Sequence, residues 1–172
     1  MTLVTEADTM QPTGPEPALL SRAPRVTVAD ATSHDTEAVL AMLARCSRES
    51  LYHRFHGFTN GVAYTRALLD NRPGDPTLLA WDGADCVGLA TISRDNHGRG
   101  HLGVLVEDRW QRQGLGTRLI RDVVETARSG GLTRLHADVL GEDEFILRAL
   151  RPVGPLTVAI ALGTFSVDID LA

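Results

Sequence analysis

Two glycines, Gly114 and Gly116, stand at the start of a segment whose apolar residues repeat with a helical period. Glycine costs a helix about 1 kcal/mol relative to alanine, so a compensating role is expected here. Backbone N–H groups at a helix N-terminus point outward without intrahelical acceptors and bind anions, with help from the helix dipole. Arg112, just before the glycines, adds a full positive charge. The spacing therefore favours a phosphate-binding turn over residues 111–117.

Two other phosphate-binding loops have glycines at related spacing. The dinucleotide fingerprint G-x-G-x-x-G begins correctly, but Leu119 replaces its third glycine, and too little chain follows for a doubly wound sheet. The Walker loop ends in Gly-Lys-Ser/Thr, which this sequence lacks. A glycine-rich turn that binds no ligand is the remaining alternative.

The segments around this turn predict a strand–turn–helix–strand unit. Residues 114–129 predict an amphipathic helix that ends at Gly130-Gly131. Residues 101–106 and 133–139 are apolar enough for strands, and a connection through a helix makes them parallel, with a right-handed crossover. Earlier apolar runs flank Asp82-Gly83, a strong hairpin signal, so the strand before the turn completes an antiparallel meander.

The rest of the chain predicts one domain over residues 25–172 of class α/β (an α+β mixed sheet), with helices on both faces. Residues 1–24 contain four of the eight prolines and no periodicity, which predicts a disordered tail. The other expected elements are a strand at 25–31, a helix capped by Ser33 or Asp35, short helices at 47–55 and 61–71, the latter ended by Pro73, a last helix at 142–151, and a hairpin at 156–169 that turns at Gly163.

Composition excludes several classes of partner. The 172-residue chain has a net charge of −5 and a pI near 5.6, which argues against nucleic acid or an anionic membrane as the main partner. Cys46 and Cys86 have no metal or redox spacing and are expected to be reduced thiols. His53 and His56 have no third ligand in register, so no metal is expected. No secretory signal or membrane span is recognised, and the cytoplasm is the expected location.

Three motifs together resemble one family. Residues Gln111 to Gly116 resemble Q/R-x-x-G-x-G/A, the acetyl-CoA pyrophosphate loop of the GNAT superfamily of N-acetyltransferases. The preceding Val104 to Trp110 resembles the V-x-D-x-W that leads into that loop. Residues Ser47 to Phe55 are similar to the S-x-x-S-x-Y-x-R-F segment of bacterial Pat-type protein lysine acetyltransferase domains. The resemblance covers residues 25–170 and implies a GNAT-like fold, an antiparallel meander followed by a βαβ crossover with splayed central strands.

The resemblance implies acetyl transfer from acetyl-CoA to a primary amine, either a protein lysine or a small amine, by direct attack in a ternary complex. The pantetheine arm would enter between the strands at 101–106 and 133–139 and pair with the first. A backbone N–H around Val104 or Leu105, with Leu105 preferred, would stabilise the oxyanion of the thioester. The implied cofactor-binding residues are Val104, Leu105, Val106, Gln111, Arg112, Gln113, Gly114, Leu115, Gly116 and Thr117.

The sequence departs from its apparent relatives where proton transfer is expected. His101 stands where Pat-type domains commonly carry a catalytic Glu, and an imidazole can accept a proton near neutral pH. It could also be a solvated histidine at the start of a strand, and Glu107 and Glu49 are weaker candidates for the base. Many members protonate the leaving thiolate with a Tyr, but residues 142–154 contain none, so water would serve. The pair Glu142-Asp143 replaces the common Glu-Asn, and Gly154-Pro155 replaces Gly-Phe, with Pro152 predicted to shorten or kink the last helix.

Several side chains near these motifs have two interpretations each. Tyr52 and Arg54 could bind the acceptor, or Arg54 could form a structural ion pair while Leu51 and Phe55 fill the core. His136 and Asp138 share a strand face and either face the acceptor or are solvated. The further residues considered are Trp110, expected to be a packing anchor under the turn, and Arg118, expected on a solvated helix face or at a CoA phosphate.

Three functions therefore compete. The leading hypothesis is an acetyl-CoA-dependent N-acetyltransferase, with acetyl-CoA as co-substrate and a homodimer as one option. The second is a non-catalytic acetyl-CoA-binding sensor or interaction module of the same fold, which the altered proton-transfer residues keep open. The third is a relative of the fold with no nucleotide site.

Overall fold

The computed structural model describes residues 26–55, 61–69, 74–140, 144–161 and 163–172. The predicted tail over residues 1–24 lies outside these residues, as do Arg25, His56, Pro73 and the Glu142-Asp143 pair.

One mixed sheet of seven strands organises the described part, in the order β1-β2-β3-β4-β5-β7-β6. The strands are β1 (Thr27–Asp30), β2 (Thr77–Asp82), β3 (Asp85–Arg94), β4 (Gly100–Val106), β5 (Arg134–Leu140), β6 (Leu156–Ala161) and β7 (Thr164–Asp170). Strands β1 to β4 pair antiparallel in chain order. The predicted meander and mixed sheet are therefore confirmed.

Two of the hairpins turn at residues that the sequence predicts, Gly83 and Gly163, and the β3–β4 turn contains a third glycine, Gly98. Gly83 (φ 61°), Gly98 (φ 75°) and Gly163 (φ 78°) all have positive φ in the β2–β3, β3–β4 and β6–β7 turns. Glycine enters this region without the steric penalty of a Cβ, which is why these positions can reverse the chain.

Helices cover both faces of the sheet. They are α1 (Thr36–Arg45), α2 (Arg48–Phe55), α3 (Gly61–Leu69), α4 (Leu115–Ser129) and α5 (Glu144–Leu150). The buried stripe of α4 packs on one face, and α1 and α3 bury Val39, Met42 and Leu69 on the other. Fully burying side chains of this kind contributes about 1.5–3 kcal/mol each, so the two cores hold both helical layers to the sheet.

The central parallel pair opens after a short contact. β4 and β5 are joined through α4 and pair only at Gly100 with Leu135 and at His101 with His136. Beyond these pairs β4 continues for five residues and β5 for four. The two strands thus diverge toward their carboxyl ends and leave a gap that the turn before α4 adjoins.

The last helix ends one residue before the predicted residue 151. The expected span was 142–151, whereas α5 ends at Leu150 and the chain turns over residues 151–154. Pro152 explains the early end, because proline disfavours helical geometry in the residue before it and cannot donate a helical hydrogen bond. The following hairpin places β7 against β5 and leaves β6 at the edge of the sheet.

Candidate active site

The turn between β4 and α4 contains two residues in the left-handed backbone region. Arg112 has a φ of 58° and Gly114 a φ of 83°. A residue with a Cβ is disfavoured there by roughly 1–2 kcal/mol, whereas glycine enters freely. A Cβ built on Gly114 would meet no atom within 4 Å. The backbone conformation therefore requires glycine here, and the space above it is open to a ligand.

Helix α4 begins without a side-chain cap. Gly114 is its N-cap residue and offers no side-chain hydrogen bond, and the first turn contains no acidic residue. The first N–H groups of a helix lack intrahelical acceptors, and the helix dipole adds partial positive charge. Arg112 is exposed in the same turn and adds a full charge. This donor set fits a diphosphate.

Gly116 differs from Gly114 in its surroundings. A Cβ at position 116 would lie 3.7 Å from Phe145 Cε1 and 3.7 Å from Val106 Cγ2, which is ordinary van der Waals contact. An alanine would therefore fit this helical position. The steric requirement for glycine falls on position 114.

Asp108 joins the turn to α2. Its Oδ2 accepts the Ser47 backbone N–H at 2.8 Å, and its Oδ1 accepts the Ser50 hydroxyl at 3.0 Å. Hydrogen bonds, that from the Ser47 side chain foremost, hold the pKa of Asp108 below its usual value. Gln111 Nε2 donates to Ser50 Oγ and to the Val106 carbonyl, each at 2.9 Å. The two serines therefore fix α2 against the turn.

Ladder alternation decides which amides of β4 face the gap. The Glu107 N–H donates to the Val87 carbonyl at 3.0 Å, so residue 107 directs its amide toward β3. Successive residues of an antiparallel strand alternate in this direction. Leu105, which pairs with Leu89, therefore also faces β3, and Val104 faces the gap. Of these two amides, that of Val104 is therefore the one directed toward the gap.

His101 lies at the last paired position of β4, at the closed end of the gap. Its side chain is 41% exposed, and its Nε2 is 3.4 Å from Asp95 Oδ2. Asp95 also accepts the backbone N–H groups of Arg99 at 3.0 Å and His97 at 2.8 Å. These amides, that of Arg99 foremost, hold the pKa of Asp95 well below its usual range. His101 is thus open to solvent and is held by a carboxylate that stays ionised.

The two alternative bases have other surroundings. Glu107 is 4% exposed and accepts Arg45 Nε at 2.8 Å and Arg109 Nε at 2.7 Å. Both of its oxygens are therefore engaged in ion pairs that hold the start of the turn. Glu49 is exposed in the first turn of α2.

Arg54 crosses the face of β4 beside His101. A Cβ at Gly103 would overlap the Arg54 guanidinium, and Arg54 Nη2 donates to Thr91 Oγ1 at 3.0 Å. Residues 101 and 103 share a strand face, so the guanidinium and the imidazole are neighbours on the side that bears α2. Tyr52 is 55% exposed on the same helix.

Trp110 and Arg118 have structural contacts. Trp110 is partly buried and packs against the α4 core, as expected for an anchor under the turn. Arg118 Nη1 donates to the Val26 carbonyl at 2.8 Å, and its Nε is 3.5 Å from Asp122 Oδ2. Arg118 therefore already ties α4 to the start of β1, which weakens its assignment to a phosphate.

Both cysteines are free and unfavourable as nucleophiles. Burial raises the pKa of the Cys86 thiol to about 11 and that of Cys46 to about 12. The thiolate is the nucleophilic form, and it is scarce at neutral pH when the pKa is this high. Neither cysteine is suited to carry an acyl group.

His136, for which the sequence allows two interpretations, is buried next to His101. His136 is 8% exposed, its Nδ1 is 2.8 Å from Asp168 Oδ1, and its Nε2 is 3.1 Å from Asp138 Oδ1. It is therefore enclosed, whereas Asp138 is exposed. Asp168 was missed by sequence reasoning. The available signal was the alternation of polar residues at 136 and 138 and at 166 and 168 in strands that pair.

Neither a metal cluster nor a membrane helix is found in the described ranges. No group of three or more His, Cys, Asp or Glu side chains there is arranged to hold a metal ion. No helix among those residues has both the length and the apolar character needed to cross a bilayer.

The fold is similar to those of several solved acetyltransferases. The GNAT domain of S. lividans PAT superposes with a TM-score of 0.73 at 21% identity, over 84% of this chain and 89% of that one. The Salmonella typhimurium protein YncA, described as an acetyltransferase and solved with its cofactor acetyl-CoA, gives 0.67 at 17%, over 86% and 95%. The ribosomal-protein-alanine N-acetyltransferase of Brucella melitensis gives 0.67 at 19%, over 84% and 99%.

The family assignment follows from the sequence match, since identities this low show the fold alone. A model of the acetyltransferase (GNAT) family matches residues 39–150, which is more than half of the chain and includes the turn, α4 and both parting strands. This protein therefore belongs to the GNAT family of N-acetyltransferases.

Proposed function

We propose that this protein transfers an acetyl group from acetyl-CoA to a primary amine by direct attack in a ternary complex. The observation that carries the proposal is the gap between β4 and β5, which lies beside a helix N-terminus with no cap of its own. A thioester needs a cleft to enter, and its diphosphate needs free N–H donors. Both requirements are met at adjoining points of the chain.

The cofactor would be held along a continuous path. The turn over residues 111–117 would bind the diphosphate through its N–H groups and Arg112, and the Val104–Val106 backbone would pair with the pantetheine amides. The Val104 N–H, directed into the gap, would stabilise negative charge on the thioester oxygen as the amine attacks. Bound acetyl-CoA supplies an activated acyl group with a thiolate leaving group.

His101 is our proposed proton acceptor. A new N–C bond forms as the C–S bond breaks, the amine proton passes to His101, and water protonates the departing thiolate. His101 combines solvent exposure, a position at the closed end of the gap and an ionised partner, Asp95. An Nε2–H donated to Asp95 would leave Nδ1 as the accepting nitrogen. Glu107 is disfavoured because both of its oxygens pair with arginines.

The acceptor is proposed to be either a protein lysine or a small primary amine, contacted by Tyr52 and Arg54. Among the similar structures, one is named for acting on the alanine of a ribosomal protein, so a protein acceptor is compatible with this fold. The exposure of Tyr52 and the proximity of Arg54 to Gly103 support a contact role for α2.

The second candidate function is a sensor that binds acetyl-CoA without turning it over. It is favoured by the absence of tyrosine from residues 142–154, where many relatives have a proton donor, and by His101 in place of Glu.

We also propose that residues 25–172 form a single folded unit and that the protein is cytoplasmic. A further part of the proposal is a homodimer that forms through the exposed edge strand β6.

Two measurements test the proposed function in sequence. Calorimetry with acetyl-CoA is expected to show binding, and no binding would refute both enzyme and sensor. Release of free thiol across a panel of amines and lysine peptides then separates the two, because the sensor binds without release. The chain contains no lysine, so any acetyl-lysine found by mass spectrometry belongs to the acceptor. His101→Ala is expected to lower the rate near neutral pH with little change in acetyl-CoA affinity.

A further inference from the structure

Two imidazoles meet where β4 and β5 part. His101 and His136 are register partners, their ring centroids are 5.2 Å apart, and their planes are inclined at 62°. They differ in environment, because the His101 side chain is 41% exposed and His136 is 8% exposed. The exposed ring can reach an incoming amine, and the buried ring stands behind it.

Both ring nitrogens of His136 face hydrogen-bond acceptors. Carboxylates face both of its nitrogens, Asp168 at 2.8 Å from Nδ1 and Asp138 at 3.1 Å from Nε2. An ionised carboxylate only accepts, and only the imidazolium form has an N–H at both positions. The Ser166 hydroxyl donates to Asp138 Oδ1 at 3.3 Å, and its oxygen lies 3.5 Å from His136 Nε2, where it can accept the same N–H.

His101 has a different arrangement. Among the described residues it hydrogen-bonds through Nε2 to Asp95, whose carboxylate is fixed by backbone amides and held ionised by them. A single carboxylate on Nε2 is compatible with a neutral ring whose Nδ1 lone pair is available. The pair is therefore asymmetric, with one ring clamped on both sides and the other on one.

We propose that His136 is a positioning residue for His101: clamped as a cation between Asp168 and Asp138, it keeps the adjacent ring neutral and ready to accept the amine proton. The inference rests on the proposed function for its use of that proton. Its physical basis is that two like charges at this separation disfavour each other in a partly buried site.

The other charged groups around the pair act in both directions. Asp95 lies next to His101, and Arg99 Nη1 is 3.5 Å from Asp168 Oδ1. Arg54 of α2 covers Gly103 on the same face. The arginines oppose a second positive charge on His101, whereas Asp95 and the two carboxylates that hold His136 favour it. The contribution of His136 is therefore tested by changing its charge alone.

The test is an NMR pH titration of the His101 ring in isotopically labelled protein. His136→Gln is expected to move the His101 midpoint to higher pH by about one unit, because a neighbouring positive charge is lost. His136→Lys restores that charge and is expected to return the midpoint toward wild type. Asp95→Asn is expected to move it to lower pH. His97 is an exposed histidine of the β3–β4 turn, so His97→Gln is the control and should leave the His101 midpoint unchanged.

The pH–rate profile for thiol release supplies the second readout. The acidic limb of His136→Gln should shift in the same direction as the NMR midpoint, with an unchanged KM for acetyl-CoA. A folded His136→Gln that binds acetyl-CoA and leaves both the midpoint and the profile unchanged overturns the inference. A wild type that shows the NMR coupling but turns over no amine overturns the proposed function instead. If circular dichroism shows that His136→Lys is not folded, rescue is not scored, and the result for His136→Gln decides the inference.

Discussion

At the scale of single residues, substitution of the two glycines of the turn should have opposite effects on stability. Gly114 has a φ of 83°, whereas Gly116 is helical with room for a methyl group. Gly114→Ala should lower the free energy of unfolding by roughly 1–2 kcal/mol through backbone strain. Gly116→Ala should raise it by up to about 1 kcal/mol through helix propensity. Urea denaturation of both variants measures this, and equal effects would contradict the assignment.

Glu107 is expected to act in stability rather than in proton transfer. Glu107→Gln weakens two charge-assisted hydrogen bonds, to Arg45 and Arg109, and should lower the free energy of unfolding by about 1–3 kcal/mol. The matched control is Glu49→Gln, an exposed change expected to stay within about 0.5 kcal/mol. Unaltered stability combined with a lost turnover rate would return Glu107 to the role of base.

At the scale of elements, Asp108 connects α2 to the turn, and this connection should depend on pH. Folding lowers the pKa of this carboxyl group. Its ionised form therefore stabilises the protein at pH values above its unfolded pKa of about 3.9, and that contribution disappears as pH falls through the folded pKa. Asp108→Asn should therefore be less stable than wild type near neutral pH by up to about 1 kcal/mol, since solvent screens this exposed carboxylate, and the difference should narrow as pH falls below about 3.9.

Urea denaturation at neutral and acidic pH checks the Asp108 prediction. Asp30→Asn, an exposed change on β1, is the control and should give no such narrowing. A constant difference between Asp108→Asn and wild type at all pH values would show that hydrogen bonding to Asp108 is not coupled to its ionisation.

Elements that are set by local sequence could be predicted, whereas contacts that depend on long-range strand pairing could not. The Asp82-Gly83 hairpin and helix α4 were predictable because turn residues and a 3.6-residue period are local signals. The end of α5 was predictable to within one residue, because Pro152 cannot continue a helix. The clamp on His136 was not predicted, because Asp168 reaches it through pairing of β5 with β7 across 32 positions. Likewise, the sequence shows that amides alternate along β4 but does not show whether Val104 or Leu105 faces the gap. The hydrogen-bond register with β3 decides this.

At the scale of the whole molecule, β6 is the outer strand of the sheet and is apolar. Val158 is 44% exposed and Ile160 71% exposed on it. An uncharged edge strand is a template for pairing with another chain, so a second copy is the proposed partner. Ile160→Lys should then shift a dimer to monomer in light scattering across a concentration series.

Thr126→Lys, on the exposed side of α4, adds the same charge away from β6 and is the control. A wild type that is monomeric throughout the concentration series would contradict the proposal. A dimer that survives Ile160→Lys would place the interface on another surface.

The divergence of β4 and β5 also gives the sheet an internal seam. Among the described residues, the backbone ladder joins the two half-sheets, one of four strands and one of three, only at Gly100 and His101, so each half-sheet has an unpaired edge inside the molecule as well as one outside. Deuterium should report this directly: the Val104 amide is expected to exchange faster than that of Leu105, although they are sequence neighbours in one strand. Equal protection would mean that the seam is closed by contacts within the protein, whereas slowing of Val104 alone on addition of acetyl-CoA would mean that the coenzyme completes the sheet as a non-peptide strand.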